Sequence, residues 1–291
     1  MRARTSAALF ILSLAAVRCT RPLDVVSIST DGGAESGVPA SDAGLTSVDA
    51  GPTPKITCTQ EPSITLLGVK NELFYFDPKA DIAKSYGVIN CPEAAGNALS
   101  LAVDDGGLVY VAFDSGIIIL LPPGATTGCK QWGKVPALPT SANGAGFTNA
   151  NSVSPSFYLG VDQAIYKTGS AQFGVWSQIG KLDPSDNVSA LMGTGDGRLF
   201  AVISPGTKST YRITSVDPSG GTQGATVLVP SPTGAPDAPA GFALWGPSVL
   251  VFTEKALTRY NFATGEVGAP EIFDPIGPIV AAASPPCAST L

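Results

Sequence analysis

Apolar and polar positions along this chain fall into short β-rich runs separated by turns, and no stretch sustains the spacing of an amphipathic helix. A single pattern, an amphipathic strand followed by a Pro- or Gly-containing turn, returns five times. It reads Leu73-Phe74-Tyr75-Phe76-Asp77-Pro78, then Ile118-Ile119-Leu120-Leu121-Pro122-Pro123-Gly124, then Ala164-Ile165-Tyr166-Lys167-Thr168-Gly169. It recurs as Arg212-Ile213-Thr214-Ser215-Val216-Asp217-Pro218 and as Leu257-Thr258-Arg259-Tyr260-Asn261-Phe262-Ala263-Thr264-Gly265. Copies lie roughly 45 residues apart, the size of a four-stranded unit with its turns, and such a period predicts an all-β, five-bladed β-propeller. A β-sandwich is the rival fold.

Within each unit the strand character changes. Leu99 to Val103 leads through Asp104-Asp105-Gly106-Gly107 into Leu108 to Phe113, and Asp114-Ser115-Gly116 leads into Ile117 to Leu121. Asp-Gly and Gly-Gly pairs between β-rich runs mark hairpins. Cys129 to Val135 supplies the fourth strand. The same order returns from Val188 to Val229, and again from Phe242 to Phe273. Second strands such as Val249-Leu250-Val251-Phe252 are apolar on both faces, so both faces are covered. Third strands alternate more, as suits a position nearer the rim.

The first unit lacks an innermost strand. It opens with Ile64 to Val69, which behaves as a second strand, while Ile279-Val280-Ala281-Ala282-Ala283 near the C-terminus is an orphan first strand. The C-terminal strand is therefore expected to complete the first blade, which closes the ring and removes two open sheet edges. Two connections rich in Pro, Gly, Ala and Ser, 136–147 and 230–241, read as long loops.

The N-terminus modifies this picture. Arg2 and Arg4 precede an apolar run from Ala7 to Val17, too short to span a bilayer and suited to a secretory leader. Residues 1–19 are read as that leader. Cys19 stands where a lipoprotein carries its acylated cysteine, although Arg18 departs from the small residue expected there. Lipidation of Cys19 and simple cleavage with release both remain open. Residues 20–58, dominated by Ser, Asp, Gly, Ala, Pro and Thr, read as a disordered tether. Residues 59–291 form the propeller domain.

The five cysteines fit an oxidising compartment. With Cys19 set aside, Cys58 and Cys287 flank the closure of the ring and are expected to pair. Cys91 and Cys129 pair by elimination, although simple strand directions place those two toward opposite faces.

The chain contains no histidine, which removes the commonest general base, the Ser-His-Asp arrangement and most zinc or iron sites. No metal or cofactor is expected. Net charge is −6 and no basic stripe occurs, which argues against nucleic acid. The remaining catalytic option is a carbohydrate-active hydrolase with paired carboxylates on the central channel, for which Asp104, Asp105, Asp162, Asp196 and Glu254 are the candidates. Most of them sit in tight turns, where Asp has a structural role. Trp132, Trp176 and Trp245 are candidates for sugar stacking or a protein interface, and for packing between blades. The expected function is a non-enzymatic binding or protein-interaction module of the cell envelope. It would be a monomer with a protein or glycan partner, touching a membrane only through an N-terminal lipid.

Several pieces together carry a family resemblance: Leu73 to Pro78, Ser100 to Asp104, Thr194-Gly195-Asp196-Gly197-Arg198-Leu199-Phe200, Phe242 to Gly246 and Ile279 to Cys287. In their order and spacing they resemble the uncharacterised propeller-like exported lipoproteins of myxobacteria. The resemblance implies export and a propeller fold, and it transfers no catalytic residue.

Overall fold

The computed structural model describes residues 62–94, 96–135, 142–148, 156–169, 175–182, 186–205, 210–220, 223–230, 241–253, 256–272 and 277–289. Cys19, Cys58, Glu254, the leader and the tether lie outside them. The described residues form a five-bladed β-propeller of four-stranded antiparallel sheets. The first blade holds β1 (Ile64–Gly68), β2 (Glu72–Asp77) and β3 (Ile82–Val88). The second holds β4 (Ala98–Val103), β5 (Val109–Phe113), β6 (Ile117–Leu121) and β7 (Lys130–Lys134). The third is β8 (Ala142–Thr148), β9 (Ser156–Val161), β10 (Ala164–Gly169) and β11 (Ser177–Lys181). The fourth is β12 (Asp186–Gly193), β13 (Leu199–Pro205), β14 (Thr210–Val216) and β15 (Gln223–Pro230). The fifth is β16 (Gly241–Trp245), β17 (Ser248–Phe252), β18 (Ala256–Asn261) and β19 (Glu271–Ile272). The last strand, β20 (Ile279–Ala283), returns to the first blade as its innermost member, pairing Thr65 with Ala283 and Leu66 with Ala282.

Burial falls from axis to rim, and the sequence shows why. The second strands β1 and β5 are buried throughout. Third strands such as β2 and β18 alternate between buried and half-buried positions. The outer strands β7 and β11 carry Lys, Gln and Ser and are largely exposed. The core is divided into five apolar clusters, each lying between two adjacent blades. Five blades have five interfaces only when the ring is closed. The closing interface joins Ile64 and Phe76 of the first blade to Leu250 and Phe252 of the fifth, and Ile279 of β20 sits among them. On the rim of that interface Arg259 pairs with both Asp81 and Glu271.

One expected loop is a strand. Within 136–147, β8 supplies the innermost strand of the third blade. Its sequence, Ala-Asn-Gly-Ala-Gly-Phe-Thr, has low β propensity. The cause is steric: a Cβ on Gly144 would lie 2.7 Å from the Ala190 backbone of β12. Neighbouring innermost strands approach too closely there for side chains, so glycine marks the inner strand where composition read a loop. Of the other expected loop, only its ends, Pro230 and Gly241, are described, and they belong to strands.

Cys91 and Cys129 form a disulfide, with Cα atoms 6.0 Å apart. Strand direction alone put them at opposite faces. Sheet twist explains the difference, since successive strands rotate by roughly 20–25° and an outermost strand lies steeply across the axis. The segment before β7 thus folds along the first blade, where the Asn90 N–H donates to the Thr126 carbonyl at 2.8 Å. Cys287 is also disulfide-bonded, and its partner lies outside the described residues. The expected pairing with Cys58 predicts that the oxidised, unreduced chain will show no free thiol at positions 58, 91, 129 or 287. Peptide mapping after alkylation checks this, and one alkylated cysteine among the four would refute the pairing scheme.

Candidate functional site

Among the described residues the axis of the ring holds only small voids. The innermost strands run in one direction, and their ends (Val103, Phe147, Gly193, Leu244 and Ser284) meet around a void of about 10 Å³. A second void of about 10 Å³ lies lower on the axis, beside Ser100, Gly144 and Ser189. Each is room for about one water. Ser100 is buried there, and its hydroxyl has no hydrogen-bond partner. No Asp or Glu is among the described residues lining either void.

After β20 the chain crosses the end of the axis where the innermost strands finish. The Pro286 carbonyl accepts from Gly195 N–H of the fourth blade at 2.9 Å. The Ala288 carbonyl accepts from Gly246 N–H of the fifth at 2.9 Å. The Cys287 N–H donates to Asp105 of the second blade at 3.1 Å. This segment, with a 3-10 turn over Pro286–Ala288, therefore ties together the inner turns of three blades.

Beside it, between the first and second blades, opens a cleft of about 270 Å³. Tyr75 on β2 and Tyr86 on β3 form one wall, with ring centroids 6.2 Å apart at 59°. Asp105 and Pro123 come from the second blade, and Pro285 from the crossing segment. Tyr86 reaches the cleft because β3 bulges there, where the register against β2 shifts between Leu73 and Phe74. Gly124 packs against the Tyr86 ring, where a Cβ would lie 3.5 Å away.

Of the candidate carboxylates, Asp104, Asp105 and Asp196 lie in turns at this end of the ring, and Asp162 lies in the β9–β10 turn at the other. Asp104 is structural: it accepts from Gly106 N–H and Leu108 N–H at 2.9 Å each and from the Tyr110 hydroxyl at 3.2 Å. Burial pushes its pKa up against those donors. Asp196 is held by Arg198 at 2.8 Å and by Thr194. Burial pushes its pKa up, but these two partners outweigh that and leave it lowered. Asp162 sits at φ +50°, and its carbonyl accepts from Val188 N–H at 2.9 Å. Only Asp105 lines the cleft among these candidates. Burial raises its pKa, the Cys287 N–H opposes the rise, and neighbouring Asp104 adds to it.

The sign of that shift gives a test. A raised folded pKa means that the group's stabilising contribution is fully present below the ordinary carboxylate value and is lost as pH rises through the raised one. Asparagine keeps an acceptor for Cys287 N–H and carries no charge. Asp105→Asn is expected to melt higher than the parent at pH 7, by a margin that solvent screening keeps below about 1 kcal/mol. The margin should close as pH falls to about 3. Melting curves across that range check it, and an unchanged margin would show that charge burial is not the cause.

The tryptophans pack between blades. Trp132 lies edge-on to Tyr110 at 5.2 Å and beside Phe157 at 5.1 Å, and Trp176 is 5.9 Å from Phe157. Trp245 packs against the cluster between the fifth and first blades. Sequence reasoning missed Tyr75 and Tyr86. The available signal was Tyr86 itself, an aromatic residue on an outer strand with polar neighbours Lys84 and Ser85.

No family model and no curated protein matches the chain. Among solved structures it is similar to one from a nidogen/laminin complex, at 10% identity and a TM-score of 0.48, over 77% of this chain and 98% of that one. It is similar to the WD40 β-propeller domain of Doa1 at 15% identity and a TM-score of 0.46, over 75% of this chain and 67% of that one. It is also similar to a streptogramin B lyase at 16% identity and a TM-score of 0.42, over 74% of this chain and 70% of that one.

Proposed function

We propose that this chain is an exported, non-enzymatic binding module of the cell envelope, held by a lipid on Cys19 or released, with its ligand seated in the cleft between the first and second blades. The observation that carries this reading is where open space lies. Among the described residues the axis is filled by apolar and small residues of the inner strands, while the cleft gathers aromatic, proline and carboxylate side chains from segments far apart in sequence. Binding sites favour such concave, partly aromatic surfaces with a few placed polar groups. The Cys91–Cys129 disulfide fits the oxidising compartment that export implies. None of the described helices is long and apolar enough to cross a membrane. The hydrolase alternative draws no support from the axial voids, which offer no carboxylate pair among their described lining.

A thermal-shift screen of the full chain, disulfides intact, tests the proposal with cell-wall glycans, peptides and small metabolites. A true ligand at a hundred times its dissociation constant adds about 2.7 kcal/mol. In a protein of this size that raises Tm by an amount on the order of 5 °C. Tyr86→Ala should abolish the shift. A ligand whose shift survives Tyr86→Ala would place the site elsewhere.

A further inference from the structure

We propose that the lower void on the axis is a binding site for a single ordered water, held by the Ser100 hydroxyl and shared by the innermost strands of all five blades. The site stands apart from the cleft and does not depend on it. Size sets the occupant first. The void measures about 10 Å³, which is about one water and too little for an organic ligand. Cavities that stay dry have apolar walls, whereas this one is lined by a hydroxyl. Ser100 is 1% exposed, and its hydroxyl has no hydrogen-bond partner in the protein. A buried polar group in that state is destabilising, and water, which both donates and accepts, relieves it.

Strand geometry places the hydroxyl at the void. Ser100 shares a face of β4 with Ala102, and Ala102 packs with Ala145 of β8 between the second and third blades. Ala145 lines the void, together with Ser189 of β12, Phe242 of β16 and Ala281 of β20. Every innermost strand therefore contributes to its wall.

The ladders supply the remaining contacts. The innermost strands β20, β4, β8 and β12 each carry a bulge, and the extra residues are Val280, Leu99, Asn143 and Ser189. In each strand the residue that follows the extra one, Ala281, Ser100, Gly144 or Ala190, lines this same void. Four bulges therefore meet around one point on the axis. A bulge takes its extra residue out of the ladder, and the N–H and C=O groups released there need other partners. They provide the two to four polar contacts that a buried water requires. Of the four residues that follow a bulge, Ser100 alone has a polar side chain, so the water centres on it.

A high-resolution crystal structure of the full, oxidised chain tests the proposal, with ¹⁷O relaxation dispersion in solution beside it. The map is expected to show one peak within about 3 Å of Ser100 Oγ, and the dispersion to report slowly exchanging water. Ser100→Val exchanges the hydroxyl for methyl groups that fill the space. In that variant the peak should vanish and the dispersion amplitude should fall by the share of one water. Should the valine variant fail to melt cooperatively, Ser100→Ala, which adds no volume, carries the same comparison. The proposal is overturned by a parent map without a peak beside Ser100, or by a peak that refines as a heavier ion. A dispersion amplitude that both variants leave unchanged overturns it as well. None of these outcomes bears on binding in the cleft, which the thermal screen decides separately.

Discussion

A chain ending at residue 278 is expected to lose its cooperative unfolding transition. The missing β20 pairs with β1 from Thr65 to Gly68. It contributes Ile279 and Ala282 to the interface with the fifth blade, and Ala281 and Ala283 to the interface with the second. Without it the fully buried Leu66 and Leu67 of β1 face an open axis, and an unpaired strand edge is exposed. The crossing segment that ties Gly195, Gly246 and Asp105 together is lost as well. A domain holds only about 5–15 kcal/mol in total, and removing one strand from two core interfaces is a loss of that size. Circular dichroism melts with dye binding check it. A truncated chain that melts like the parent would refute closure by the C-terminal strand.

Gly193→Val should be the most damaging single substitution in the inner ring. A Cβ there would lie 1.6 Å from the Phe147 carbonyl oxygen of β8 and 2.4 Å from its carbon. The obstacle is backbone of the neighbouring blade, so relief requires the third and fourth blades to part. The expected loss is about 4 kcal/mol or more, in the tail of single-residue effects. The matched control is Gly133→Ala on the exposed strand β7, where an added Cβ meets nothing within 4 Å. That change should stabilise by about 0.5 kcal/mol, because alanine has less freedom to lose on folding. Urea denaturation of both separates the cases. A Gly193→Val loss below about 1 kcal/mol would mean that the inner strands are not in direct contact.

Much of the architecture was legible because local signals agreed. Asp104-Asp105-Gly106-Gly107 and Thr194-Gly195-Asp196-Gly197 mark hairpins in any context, and the two-faced apolar runs of β5 and β17 announce strands covered on both sides. The orphan Ile279–Ala283 pointed to closure because a ring leaves no other place for it. Legibility ended where a neighbour's backbone decides the residue. Gly144 and Gly146 of β8 look like loop to any propensity argument, and only the approach of β12 explains them. The cleft was invisible for a related reason. Tyr75, Tyr86, Asp105, Pro123 and Pro285 share no motif, and the last of them arrives from the far end of the domain. The repeat shows what the blades have in common, whereas the cleft is built from what they do not.

The strand order of the first blade also sets a timetable. β1 is among the first segments of the domain to be synthesised, yet its axial partner β20 is among the last. The ordering entropy of that long loop is met before its contacts can form, which slows folding and raises contact order. The ring cannot close before β20 has been synthesised. Under the export proposed above, the same connectivity would hold the polypeptide open, the state that a secretion channel accepts, until that last strand appears.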